Sequence, residues 1–505
     1  MFWADQIAEK LKERKLPLER VDDMKTPSGK IHVGALRGVI IHDLIFRALV
    51  DAGVKAKYTY VFDDHDPMDA LPATLSAEKF GKYLGFPLNT IPSPKPGFAS
   101  FAEFYALEFK EVFNKLGAKP EIIWTSHLYK SGKMDQGIKK CLDNASRIRK
   151  IYKKIAGADL ASDWYPFNVI CQNCGKVGTT KVYNWDGKKV SYKCLPDYVK
   201  WAQGCGFEGK ISPFGGTGKL PWKVEWAVKW QAIGVTVEGA GKDHMSRGGS
   251  HDIASAVCQQ VLNYPVPYPL AYEWFLVGGA KMSTSRGVGV SAQEISEILP
   301  PEILRFLMVR TNFRQAINFD PGGETIPDLF DEYDRCGKEF FEKGKEGDFG
   351  RIFELSQINS KKPEKPVAVR FCQIAQWVQM PNMRQKIEKD PLLAKRAKYG
   401  KIWLERFAPD EEKFEVKEEL PRAVGKLTPS QRQLLVKIAN ELDKKWEAEK
   451  FQNTIYQWGK ELGLTSAQTF QAIYLSLLGK DHGPKAAWLI LSLDKEFIKK
   501  RFKQQ

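Results

Sequence analysis

Four groups of residues in this 505-residue chain have types and spacings that could do chemistry. The first is the stretch Thr26-Pro27-Ser28-Gly29-Lys30-Ile31-His32-Val33-Gly34-Ala35-Leu36-Arg37-Gly38. Pro, Ser and Gly make a turn. It enters a helix with apolar residues at Val33, Leu36, Ile40, Ile41, Leu44, Ile45 and Ala48, ended by Gly53. A helix N-terminus presents unpaired N–H groups and the positive end of its dipole, so it receives anions. His32 and the glycines stand where a phosphate would sit, and His32 can donate a hydrogen bond as charge builds on phosphoryl oxygens. The second group is Gly278-Gly279-Ala280-Lys281-Met282-Ser283-Thr284-Ser285-Arg286-Gly287, a glycine-flanked loop with one Lys and three hydroxyls. A mobile loop of that kind can neutralise a pentavalent phosphate while it forms. The third is the run Asp63-Asp64-His65-Asp66-Pro67-Met68-Asp69, directly after the β-rich segment Ala56–Phe62. Carboxylates at a strand's C-terminal end lie where α/β sheets bind ligands, and Asp equally serves caps and turns. The fourth is Cys171 and Cys174 on a tight turn, Cys194 after a gap of 19 residues and Cys205 after ten more. A C-x2-C turn puts two thiolates on one tetrahedral ion, so Cys171, Cys174, Cys194 and Cys205 read as ligands of a structural zinc with no open position.

The motifs carry a resemblance. His32-Val33-Gly34-Ala35 resembles the His-Ile-Gly-His signature of class I aminoacyl-tRNA synthetases, and Lys281-Met282-Ser283-Thr284-Ser285 resembles their Lys-Met-Ser-Lys-Ser signature. Ala35 replaces the second His and Thr284 the second Lys, which thins the phosphate contacts. Further pieces are similar to one subgroup, the class I lysyl-tRNA synthetases. These are the strand ending in Asp63-Asp64-His65-Asp66-Pro67, then Gly85-Phe86-Pro87-Leu88, and then Gly241-Lys242-Asp243-His244-Met245-Ser246-Arg247-Gly248-Gly249-Ser250.

The resemblance implies an α/β fold: a Rossmann-type doubly wound parallel nucleotide-binding domain with a zinc-ribbon-like insertion, followed by an all-helical C-terminal domain. It implies residues 1–275 as the catalytic domain with the Cys-rich insertion at 165–215. Residues 276–345 become the connecting domain of the Lys281 loop, and 346–505 the anticodon-binding domain. It implies ATP-dependent activation of lysine to lysyl-adenylate, then transfer to the 2′-OH of tRNA(Lys), with Mg2+ accompanying ATP. His32, Lys281, Ser283 and Ser285 would be catalytic. Thr26, Pro27, Ser28, Gly29, Val33, Gly34, Gly241, Asp243, Met282 and Thr284 would bind ATP. Asp64, Trp222, His244, Tyr272 and Glu273 would line the lysine pocket. The carboxylate that meets the lysine ammonium stays open among Asp22, Asp23, Asp64, Asp66 and Glu273. Two other readings also stay open: a class I synthetase for glutamate, and a catalytically silent zinc-bearing RNA-binding homologue.

Composition agrees with a nucleic-acid partner. The formal net charge is +16 and the sequence pI is near 9.2, which suits a polyanion. Lys176, Lys181, Lys188, Lys189, Lys193 and Lys200, with Tyr183, Trp185 and Tyr192, suit RNA backbone contact or a solvated basic face. No 18-residue apolar run and no signal peptide are read, and the remaining cysteines read as reduced thiols, so the expected compartment is the cytoplasm. The elements that must position the motifs are less clear. Val21–Lys25 should be a buried strand before the first turn, yet it carries Asp22 and Asp23. Helices are expected from about 101 to 157, and a strand over Ala271–Val277. The Gly-, Lys- and Pro-bearing stretch 343–366 reads as a linker. Beyond it come helices at Val367–Val378, Leu392–Phe407, Ser430–Lys450, Thr465–Leu478 and Ala486–Lys500.

Overall fold

The computed structural model describes residues 1–278, 290–344, 347–359, 363–380 and 383–504. The Lys281 loop, with Met282, Ser283, Thr284 and Ser285, lies outside the described residues. The chain forms two compact units: Met1–Asp320 with Glu339–Glu364, and Pro321–Lys338 with Lys365–Gln505. Among the described residues no helix is long and apolar enough to cross a membrane.

The first unit is built on five parallel strands: β1 (Glu19–Lys25), β2 (Ala56–Phe62), β3 (Glu121–Trp124), β4 (Val237–Gly241) and β5 (Tyr268–Tyr272). Their order is β5-β4-β1-β2-β3, so the winding reverses between β1 and β4. In such sheets the crevice at the strands' C-terminal ends, at the reversal, receives ligands. The polar strand is therefore the central one. Asp22 is fully buried and Asp23 nearly so, and successive side chains alternate across a strand. Asp22 accepts the Thr59 hydroxyl, and Asp23 accepts the Met24 N–H at 2.8 Å.

The helix after β1 packs its apolar stripe on this sheet. It is the second of the unit's helices, after α1 (Trp3–Lys12), and α2 spans Val33–Asp51 with Val33, Leu36, Ile40, Leu44 and Ile45 buried. The expected helical run 101–157 is interrupted by β3. Pro120 ends the preceding segment, and Ile122 and Ile123 pair with Tyr60 and Val61. The expected strand Ala271–Val277 is also broken. β5 ends at Tyr272, and Phe275–Val277 pairs instead with Ile317–Phe319 in a separate two-stranded sheet. The switch occurs because the Glu273 N–H donates to Phe313 O at 2.9 Å and Trp274 O accepts the Ile317 N–H at 3.0 Å.

The helices α3 (Trp222–Ile233), α4 (Ser250–Val257) and α5 (Pro301–Val309) complete the layers used here, with α6 (Asp348–Ser356) beyond them. α6 lies in the stretch read as a linker. Its Phe353 and Leu355 are buried, and buried Arg305 of α5 donates to Leu355 O at 2.7 Å, to Leu116 O at 3.1 Å and to Asp43 at 2.5 Å. Gly and Lys content suggested a linker, whereas burial of Phe353 and Leu355 makes the segment part of this core.

The second unit is helical. Thr428 with Gln431, and Thr465 with Gln468, form capping boxes that start helices Pro429–Glu441 and Ser466–Leu477. Leu434, Leu435, Ile438, Phe451, Ile455, Ile473, Leu477, Leu489 and Phe502 fill the core. Two expected helices divide. Ser430–Lys450 is replaced by Pro429–Glu441 and Ala448–Glu461, with the Trp446 indole donating to Glu441 O at 2.8 Å at the break. Ala486–Lys500 is replaced by Ala486–Ser492 and Lys495–Lys503, because Asp494 caps the second by accepting the Phe497 N–H at 2.8 Å.

Candidate active site

The first motif stands at the sheet's reversal. His32 is the residue before α2, in extended conformation, and the residues from Thr26 to His32 form the turn between β1 and that helix. Pro27, Gly29 and Val33 are buried, while Thr26, Ser28, His32 and Gly34 are half-buried. The Thr26 hydroxyl donates to Asp66 Oδ2 at 2.7 Å, which ties this turn to the acidic run after β2. The chain that leaves the Lys281 loop returns to the same place. Val33 N–H donates to Val290 O at 3.1 Å, and Ala292 N–H donates to Ile31 O at 2.9 Å. The stem on the other side is held by Arg37. Its buried guanidinium donates to the carbonyls of Trp274 at 2.8 Å, Asn312 at 3.1 Å and Gln315 at 2.5 Å. Burial lowers the Arg37 pKa to about 10. Arg37 lies within the motif, but a role as a clamp was not visible from sequence, because its acceptors are backbone groups some 240 to 280 residues away.

The acidic run divides its labour. Asp64 accepts the Ser126 N–H at 2.8 Å and the Ser126 hydroxyl at 2.5 Å, so both its oxygens serve the helix at Thr125–Lys130. Asp63 and Asp66 join a buried ionic network absent from the sequence reading. Lys229 contacts Asp63, and Glu225 Oε2 at 2.9 Å; Lys219 contacts Asp66, and Glu225 Oε2 at 3.4 Å. Glu225 also accepts the Tyr129 hydroxyl at 2.6 Å, and Asp63 accepts the Thr125 hydroxyl at 2.7 Å. Burial opposes ionisation of Asp66, but Lys219 and Lys229 outweigh it and hold the carboxyl below its ordinary range. The two ammonium groups are raised by the same carboxylates. A Glu and a Lys four residues apart on α3 were the available signal.

A second carboxyl pair lies beneath an aromatic wall. Asp22 of β1 stands beside Glu238 of β4 in the strand register. Glu238 accepts the Trp226 indole N–H at 2.8 Å and that of Trp230. Burial pushes both carboxyls well above the usual range; Asp23 adds to the shift of Asp22, and Asp22 to that of Glu238. Asp22 Oδ2 is buried without a hydrogen-bond partner. Burial of the two adjacent carboxyls thus favours their neutral forms, which lowers the cost of so polar a strand at the centre of the sheet. Trp226 stacks on Trp222 at 5.8 Å, and Trp222 meets the His244 ring edge-on at 5.6 Å. Trp222 keeps 44% of its surface exposed, which leaves a face open for a ligand.

The proposed pocket residues therefore fall in three places. Trp222 and His244 touch. Tyr272 stands near Gly38, where a Cβ would lie 2.6 Å from Tyr272 Oη and 3.1 Å from Asp23 Oδ2, so only Gly fits. Glu273 pairs with Lys242 at 2.6 Å, and Lys242 lies 4.2 Å over the Trp274 ring. Gly241 ends β4, and Asp243 follows it on an exposed turn. His42 completes the Asp23 side: its Nε2 accepts the Gly239 N–H at 2.8 Å and its Nδ1 faces Gly38 O at 2.7 Å, the neutral Nδ1–H tautomer.

The Cys-rich insertion holds a three-stranded antiparallel sheet, Thr180–Trp185, Val190–Cys194 and Glu208–Ile211, closed at its base by pairing of Asn168–Val169 with Gly218–Lys219. The Sγ atoms of Cys171, Cys174, Cys194 and Cys205 all lie within 4.8 Å of one another. Cys171 and Cys205 are 3.6 Å apart, and Cys174 and Cys194 3.7 Å. Four thiolates about 2.3 Å from a tetrahedral Zn2+ stand about 3.8 Å apart, so this donor set can hold a metal ion.

Comparison with known proteins covers nearly the whole chain. Residues 1–359 match the family model described as tRNA synthetases class I (K), and residues 382–505 match the anticodon binding domain. A lysine–tRNA ligase of Methanosarcina barkeri is 36% identical over 539 residues, covering 100% of this chain and 97% of its own. One from Archaeoglobus fulgidus is 33% identical, covering 100% and 99%. One from Methanocaldococcus jannaschii is 35% identical, covering 99% of each.

Proposed function

This chain belongs to the family of class I (K) tRNA synthetases, and from that premise we propose that it joins L-lysine to tRNA(Lys) in two ATP-dependent steps. The lysine carboxylate attacks the α-phosphorus of ATP. A bond forms from carboxylate oxygen to phosphorus, the bond to the bridging oxygen breaks, and pyrophosphate leaves with Mg2+. The 2′-OH of the tRNA's terminal ribose then attacks the carbonyl of lysyl-adenylate, giving lysyl-tRNA and AMP. No covalent enzyme intermediate is needed, so catalysis consists of positioning and charge stabilisation.

What carries this reading is the convergence at one sheet reversal of a helix N-terminus preceded by His32 and the stems of the Lys281 loop. His32 and the first N–H groups of α2 hold the phosphates, with Thr26, Pro27, Ser28, Gly29, Val33 and Gly34 shaping the approach. Gly241 and Asp243 meet the nucleoside. Lys281, Met282, Ser283, Thr284 and Ser285 close on the departing pyrophosphate. Trp222, His244 and Tyr272 enclose lysine, with Asp64 and Glu273 contributing negative charge. Among the open candidates for the ammonium, the unpartnered oxygen supports Asp22. The four cysteines hold one structural Zn2+, and the second unit receives the tRNA anticodon. The reaction and the reduced thiols suit the cytoplasm.

The test is amino-acid-dependent pyrophosphate–ATP exchange across all twenty amino acids, with and without tRNA. Lysine alone should support exchange, and His32→Ala should lower it by about 100- to 1,000-fold. Exchange with glutamate instead, or with no amino acid even when tRNA is present, would overturn the assignment.

A further inference from the structure

The second unit carries a pocket of about 320 Å³ beside helix Phe371–Trp377 and the start of helix Ala486–Ser492. Trp377 and Met380 are buried in its floor, and Trp488 is half-buried in its wall. Trp488 packs against both hydrophobic clusters of this unit, so its ring has a rigid backing. The mouth is cationic. Lys485 Nζ lies 4.8 Å over the Trp488 ring, and exposed Arg370 is steered by Asp331 at 2.7 Å. Gln373 adds an amide; among the described residues no carboxylate lines the pocket, while Asp331 pairs with Arg370 and Glu324 accepts from Cys372 behind it.

This combination has a specific chemistry. Trp488 is half-buried and lines the open volume beneath Lys485, whereas Trp377 in the floor is enclosed in the core. Indole faces, an amide and flanking ammonium and guanidinium groups suit an unstacked base between phosphates. The volume is at the small end for ligand pockets and matches one nucleotide. The chain's +16 charge favours an anionic polymer over a peptide.

We infer that this pocket takes one base of the tRNA anticodon loop, stacked on Trp488, with Gln373 at its edge and Lys485 and Arg370 at the adjoining phosphates. The inference rests on the reading of this chain as a tRNA-binding enzyme. It goes beyond the matched anticodon binding domain, because Arg370, Gln373, Trp377 and Met380 lie outside residues 382–505.

The experiment measures affinity of the full chain for a tRNA(Lys) transcript at fixed ionic strength, alongside lysine-dependent exchange. Trp488→Ala should weaken tRNA binding by about 10- to 100-fold, Trp488→Phe by less than about threefold. Lys485→Ala should reduce the salt dependence by roughly one counterion. Exchange at saturating tRNA should be unchanged in all three. Transcripts made abasic at each anticodon position in turn should include one that the parent and Trp488→Ala bind equally. Wild-type affinity in Trp488→Ala, or a loss that persists with every abasic transcript, overturns the inference. If Trp488→Ala does not fold, the Gln373→Ala/Lys485→Ala variant decides, and wild-type affinity there overturns it. Failure of the proposed function would show differently, as absence of lysine exchange in the parent protein itself.

Discussion

Replacing Lys229 by Met should loosen the C-terminal end of β2 by about 3–5 kcal/mol. Lys229 is 1% exposed and contacts two carboxylates, Asp63 and Glu225, which are themselves buried or nearly so. The network holds three carboxylates, Asp63, Asp66 and Glu225, against two ammonium groups, Lys219 and Lys229. Methionine keeps most of the volume but leaves three negative groups around Lys219 alone. The cost is that of stranding buried charge, which exceeds the worth of a surface pair several-fold. Adding Glu225→Gln removes one stranded charge and keeps an acceptor for the Tyr129 hydroxyl, so the double variant should recover about half the loss. Global melting would mix two units, so the assay is amide hydrogen exchange at Tyr60, Val61 and Phe62, which lie between β1 and β3. Protection within about 1 kcal/mol of the parent in Lys229→Met would refute the network as the anchor of the acidic run.

Three further outcomes are expected. Arg37→Met strands the carbonyls of Trp274, Asn312 and Gln315; the kcat of lysine-dependent exchange should fall at least tenfold with a smaller change in the KM for lysine, and an unchanged kcat would dismiss the clamp. Burial, aided by Lys219, pushes the His65 pKa down from 6.5 to about 4. The folded chain then binds fewer protons than the unfolded one between those values. This group's contribution of about 3 kcal/mol is therefore present above pH 6.5 and lost as pH falls through 4. His65→Gln should flatten the acid limb of a stability–pH curve, and an identical limb would exclude His65 as its source. Metal analysis should find about one zinc per chain, and chelation should abolish exchange protection over Thr180–Ile211; full protection without metal would reject the structural zinc.

Much of this protein was legible in its sequence because the relevant physics is local. The Pro-Ser-Gly turn, His32 and the following 3.6-residue periodicity specify a helix N-terminus wherever they fold. The C-x2-C turn and the later thiols announced a common cluster, because few other arrangements account for four reduced cysteines in so short a loop-rich segment. Tertiary structure alone decided what the buried charges do. Asp22 and Asp23 read as a misfit because hydropathy takes each residue singly, whereas burial next to Glu238 raises the carboxyl pKa values and Thr59 and Met24 supply donors. Which donors Asp64 meets was likewise decided by the chain's path beyond β3, which brings Ser126 to both its oxygens. Lys219 lies 153 residues from Asp66 and Lys229 166 residues from Asp63, and Arg37 lies still farther from its carbonyls. Sequence determines which groups can pair, but the energy of pairing depends on distance and desolvation, and only the folded sheet sets those.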